Sequence, residues 1–94
     1  MKYLCLVYLE EKKLDAMSKS ELDALIDESL AYDEVLRKSG HHLVSEVHDR
    51  RSLLGRFILI NARDLNDAIQ VASKIPPARL GSVEVRPIQE FDQP

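Results

Sequence analysis

Lys2-Tyr3-Leu4-Cys5-Leu6-Val7-Tyr8-Leu9 and Arg56-Phe57-Ile58-Leu59-Ile60 are apolar nearly throughout and carry no helical period. Such runs suit strands in the middle of a sheet. Between them lies a long amphipathic segment. Ser18 and Glu21 form an S-x-x-E capping box that starts a helix. The helix runs to about Ser39, where Gly40 supplies the left-handed residue that ends it. Its apolar stripe is Leu22, Leu25, Ile26 and Leu36, with Tyr32 at the edge.

Outward from these, His41 to His48 alternates, with Leu43, Ser45 and Val47 on one side and His42, Val44, Glu46 and His48 on the other. That pattern fits an edge strand. Glu10 to Met17 reads as a charged connection and Asp49 to Gly55 as a short polar turn. Asp64 caps a second helix over Leu65 to Lys74, with Leu65, Ala68, Ile69 and Ala72 facing inward. Pro76 and Pro77 stop it. Ser82 to Ile88 alternates again as a last strand, and Gln89 to Pro94 is a polar tail. The order is β-α-β-β-α-β in one α+β domain over residues 1–94. Right-handed crossovers make the two apolar runs the central strands of an antiparallel four-stranded, ferredoxin-like sheet. Both helices then cover one face, and the apolar positions on the other face call for a second copy of the chain, a homodimer through the sheet face.

Composition narrows the function classes. Lys and Arg number 13 against 16 Asp and Glu, a net charge of -3. That argues against nucleic acid and anionic membrane as partners, since both need a basic footprint. The single cysteine, Cys5, excludes an internal disulfide and fits a reducing, cytoplasmic compartment. No apolar run approaches the ~20 residues of a membrane span. The charged Glu10 to Lys13 after the first run is no signal-peptide cleavage site.

Several stretches resemble the DGPF branch of the YCII-related family. They are the opening Met-Lys-Tyr-Leu-Cys-Leu-Val-Tyr, Tyr32 to Gly40, Gly55 to Leu65, and Ala78-Arg79-Leu80-Gly81-Ser82-Val83-Glu84-Val85-Arg86-Pro87-Ile88. The resemblance implies a dimeric α+β barrel, two ferredoxin-like sheets face to face with a cleft between sheet and helices. It also implies members of mostly unassigned activity, some suspected enzymes and some linked to extracytoplasmic-function sigma factors. The Asp-Gly-Pro-Phe segment itself is missing, because only Asp49 to Gly55 joins the strands where relatives carry a long insertion. The His and Asp proposed as a catalytic pair in other YCII-like proteins fall at Ser29 and Lys38, so that dyad is not carried over.

Among candidate site residues, Asp33 stands out. Leu22, Leu25, Ser29, Asp33 and Leu36 share one helical stripe, so a carboxylate faces an apolar cleft. Burying it unpaired costs several kcal/mol, so it must be paired, hydrated or used. The expectation is a general acid or base at Asp33, assisted by His42, with Ser29, Glu46 and Arg86 binding a small ligand between the first helix and the sheet. An Asp33→Leu substitution is expected to stabilise the fold. The competing reading puts Asp33 at the stripe's edge, in solvent or beside a basic neighbour. His42, Glu46 and His48 share a strand face, but the two histidines lie ~20 Å apart along it, so one ion cannot take both. No cofactor and no metal are expected. Arg56, Arg79 and Arg86 suit ion pairs with Glu46 or Glu84 better than an anionic ligand, and Cys5 suits packing better than nucleophilic chemistry. The alternative function is a non-catalytic protein-interaction module, a partner of a transcription regulator such as a sigma factor.

Overall fold

A computed structural model describes residues 1–45, 49 and 51–89. Its elements are β1 (Lys2–Leu9), α1 (Glu11–Asp15), α2 (Lys19–Lys38), β2 (His42–Ser45), β3 (Phe57–Asn61), α3 (Leu65–Ser73) and β4 (Gly81–Pro87), with 3-10 turns at Arg51–Leu53 and Pro76–Leu80. The sheet order is β2-β3-β1-β4 and every pairing is antiparallel. The two apolar runs are thus the central strands, and the chain has a ferredoxin-like α+β fold.

The caps form as the sequence dictates. Ser18 Oγ accepts from the Glu21 amide and the Glu21 carboxylate accepts from the Ser18 amide, a closed capping box. Gly40 takes φ +81, where a side chain is strained. Asp64 Oδ1 accepts from the Asp67 amide and starts α3.

Sheet and helices meet in one core. Tyr3, Cys5 and Val7 of β1 and Ile58 and Ile60 of β3 pack against Leu36 of α2 and Ala68, Val71 and Ala72 of α3. Alternation then turns Leu4, Leu6 and Tyr8 of β1, and Phe57 and Leu59 of β3, to the face that no helix covers.

Four readings of the sequence change. The charged connection contains the short helix α1. Leu53 and Leu54, placed in a polar turn, are buried and form a second cluster with Leu25 and Ile26. In α3 the inward stripe is Ala68, Val71 and Ala72, while Leu65 and Ile69 are 47% and 49% exposed. The small alanines let the helix approach the sheet, and the bulky pair is left at its margin. In β2 the pairing slips between His42, opposite Ile60, and Val44, opposite Leu59. Leu43 is therefore the extra residue of a bulge. The bulge breaks the expected alternation, because His42 and Ser45 now share the helix-covered face while Val44 joins the bare one. The expected continuation of this strand through Glu46, Val47 and His48, and the tail from Glu90 on, lie outside the described residues. No helix among the described residues is long and apolar enough to cross a membrane.

Candidate functional site

The helix α2 carries Ser29 and Asp33 one turn apart on the side that faces the sheet, and they are 1% and 2% exposed. Ser29 Oγ donates to the Leu25 carbonyl at 3.0 Å, which satisfies it within its own helix. Asp33 finds a partner across the interface. Arg56 sits just before β3, where its carbonyl accepts from the Val7 amide at 2.9 Å and anchors its backbone to β1. Its guanidinium reaches α2, and Nη2 donates to Asp33 Oδ1 at 2.5 Å, with both side chains 2% exposed.

The pair is closed to solvent but not saturated. Arg56 Nη1 is buried with no hydrogen-bond partner. A buried donor left unmade costs about 1–3 kcal/mol, so this guanidinium edge holds unused binding capacity.

The bulge at Leu43 keeps His42 on the same helix-covered face as this pair, within reach of its charges. His42 Nε2 lies 3.0 Å from Ser45 Oγ. Its pKa is pushed down, first by burial and then by the positive charge of Arg37, with Asp33 pulling upward and Arg56 adding to the lowering. His42 is therefore a neutral imidazole at pH 7, and it is the half-buried, solvent-side member of the group.

Of the residues expected to form a site, the fold brings Ser29, Asp33 and His42 to the same side of the sheet. Arg86 is elsewhere. It pairs with Leu4 in the β1–β4 register, so it stands on the bare face, in an ion pair with Glu84. Glu46 lies outside the described residues. Arg79 pairs with Glu28 at 2.7 Å. The expected cleft between helix and sheet is filled at this point by the Asp33 and Arg56 side chains themselves. Cys5 is fully buried and burial pushes its thiol up to about 11, which suits packing. Among the described residues no three His, Cys, Asp or Glu side chains converge as metal ligands would.

Arg56 as the counter-ion of Asp33 was missed from sequence, although a signal exists. A carboxylate in an apolar stripe needs a cation, and Arg56 is the basic residue that opens the second buried run.

Two comparisons with known proteins bear on this chain. The family model of the YCII-related domain matches residues 1–92. No curated protein matches it.

Proposed function

The chain belongs to the YCII-related domain family, and on that premise we propose that it is a cytoplasmic homodimer that binds a small ligand at the Asp33–Arg56–His42 cluster. Proton transfer on a bound carbonyl compound without a cofactor is the chemistry this group suits. The observation that carries this reading is the buried Asp33–Arg56 pair with a donor to spare, beside a neutral imidazole. Because the pair is closed to solvent, a ligand would enter by opening the cluster on its half-buried His42 side; its oxygen would then satisfy Arg56 Nη1, and His42 or Asp33 would move the proton. Ser29 lines the same helix face one turn earlier. Glu46 follows β2 in sequence and remains a candidate for ligand contact, as does Arg86 only if the partner copy brings it near.

The homodimer rests on the bare sheet face, where Leu4, Leu6, Phe57 and Leu59 are half-buried and Tyr8 and Val44 are exposed. A second copy laid on this face would bury them. The same patch supports the second reading, a non-catalytic module that docks another protein. Light scattering separates the two readings, since a folded monomer would leave the patch free for such a partner.

The ligand reading is tested by titrating 15N-labelled protein with small carboxylates and cyclic ketones. Saturable shifts at Asp33, His42 and the Arg56 side chain, abolished in Arg56→Met, are expected. Shifts confined to other parts of the chain would end it.

A further inference from the structure

Away from that cluster, at the open end of the sheet, three side chains of complementary chemistry meet. Ser39 Oγ lies 2.7 Å from His41 Nδ1, and His41 Nε2 lies 3.2 Å from Asp67 Oδ2. They come from two helices and the turn between α2 and β2. Ser39 is the C-cap of α2, and Gly40 with φ +81 then reverses the chain. The His41 amide donates to the Leu36 carbonyl at 2.9 Å and its carbonyl accepts from the Asn61 amide at 2.7 Å, so the turn is held at both sides. Asp67 is in the first turn of α3, and its Oδ2 also accepts from the Arg63 amide at 3.0 Å. That amide, then the contact with His41, holds the Asp67 carboxyl below the usual range, so it is anionic at neutral pH.

An anionic Asp67 has no proton to give. In the neutral ring Nε2 must therefore carry the hydrogen, and Nδ1 is left as a bare acceptor. The hydroxyl that faces it is Ser39. Ser39 Oγ is also 3.1 Å from the Leu36 carbonyl, but that oxygen already accepts the His41 amide. When His41 is protonated, Nδ1–H points at Ser39 Oγ and the serine proton turns to Leu36. When it is neutral, the serine proton points at Nδ1. A carboxylate that fixes a tautomer, an imidazole with a free lone pair and a hydroxyl on that lone pair are the parts of an activated serine. The group borders a bowl of about 470 Å3 whose rim carries Met1, Asn61 and Arg63. The Arg63 guanidinium, 86% exposed and with its Nε 3.6 Å from Asp67 Oδ2, borders the bowl beside the triad.

We propose that Ser39, His41 and Asp67 form a second reactive site, a serine nucleophile that takes small carboxylic esters. Ser39 Oγ bonds to the acyl carbon while its proton passes to His41 Nδ1. The oxyanion forms beside Arg63. Collapse breaks the bond to the leaving oxygen, which departs with the proton from His41 and leaves the acyl group on Ser39. Water then repeats the sequence, with His41 taking its proton, and releases the acid. Asp67 is a positioning residue.

The test uses the full chain, an alkyl fluorophosphonate, and p-nitrophenyl acetate. In the probe reaction the Ser39 Oγ–P bond forms, the P–F bond breaks, fluoride leaves and the serine proton passes through His41 to the buffer. One adduct per chain, mapped to Ser39 by mass spectrometry, is expected. Ser39→Ala should lose it and should release p-nitrophenolate no faster than buffer, while His41→Gln should slow labelling about 100-fold. Asp67→Asn should slow labelling while leaving the thermal unfolding midpoint close to that of the wild type, because an amide at position 67 can donate to Nε2 and no longer holds the ring hydrogen there. A merely structural Asp67 would lower stability without slowing the labelling of the folded protein. A folded protein that gives no adduct at Ser39, or gives it equally fast in His41→Gln, overturns the proposal. If Asp67→Asn fails to fold, Ser39→Ala and His41→Gln decide.

Discussion

At the residue scale, the Asp33–Arg56 pair reverses a stability argument that the sequence alone supports. With only the helical stripe in view, a buried carboxylate is a burden, and Asp33→Leu looks stabilising. With Arg56 in place, the same substitution strands a guanidinium that is 2% exposed and already has one orphan nitrogen. Breaking such a pair from one side costs about 3–5 kcal/mol. Urea unfolding of Asp33→Leu should show a loss of that order, and Asp33→Leu combined with Arg56→Met should recover most of it. The stripe made Asp33 legible as a buried residue. Its partner was not, because the two are 23 residues apart and only the β1–β3 pairing places Arg56 opposite α2. His42 was singled out on a strand alternation that put it beside Val44, and no sequence rule reveals the bulge that parts them. Cys5 and Tyr32 support a second prediction at this scale. Burial raises Cys5 from 9.0 to about 11, and burial followed by the nearby Cys5 raises Tyr32 from 10.0 to about 12. Both are neutral acids protected in the folded state. Their stabilising effect is complete below pH about 9, where the unfolded thiol is still protonated, and is lost as pH climbs toward about 12. Denaturation midpoints should fall across that window, and Cys5→Ala should flatten the part below about 11.

Elements are where sequence and structure agree best, and the reason is local chemistry. Caps are decided by residues within one turn, so Ser18, Glu21, Gly40 and Asp64 all act as their types dictate. Removing the Ser18 hydroxyl by Ser18→Ala should cost about 1 kcal/mol in thermal or urea unfolding, without altering the far-ultraviolet spectrum of the native state. Gly81 is a different kind of terminus. A Cβ built there would stand 2.0 Å from the Tyr8 carbonyl oxygen, a backbone atom that cannot swing aside. Gly81→Ala should therefore part β4 from the end of β1, and amide exchange should accelerate at Leu9 and Gly81 while β3 stays protected. Elements failed where the pattern was short or interrupted. Five residues with one apolar position, as in α1, carry no period to read. Leu53 and Leu54 are adjacent, so neither helical nor strand spacing marks them as core. The α3 stripe was rotated toward Leu65 and Ile69 because hydrophobicity ranks them above alanine, whereas close helix–sheet packing selects the smaller residue.

The whole molecule poses the question of what lies on the bare face. Leu6 and Ile58 are both apolar strand residues, and the sequence could not say which faces a partner. In the fold Leu6 points to the bare face and Ile58 is fully buried beneath the helices. Light scattering should therefore give opposite results for two aspartates: Leu6→Asp a folded monomer, Ile58→Asp an unfolded or aggregated chain. A folded wild-type monomer would remove the dimer. The bulge in β2 has its own consequence at this scale, and it concerns inheritance. With Leu43 bulged out, His42 and Ser45 stand two pleats apart and share a face. Losing the single codon for Leu43 would remove the bulge and keep that spacing, so the pair survives a deletion there, whereas a strand that straightened with Leu43 retained would part them even with both residues kept. Point substitutions can alter the chemistry of this group only one side chain at a time, whereas a change in how the edge strand takes up its extra residue exchanges its members at a stroke. The bulge is thus a direct evolutionary route to a different specificity on an unchanged scaffold.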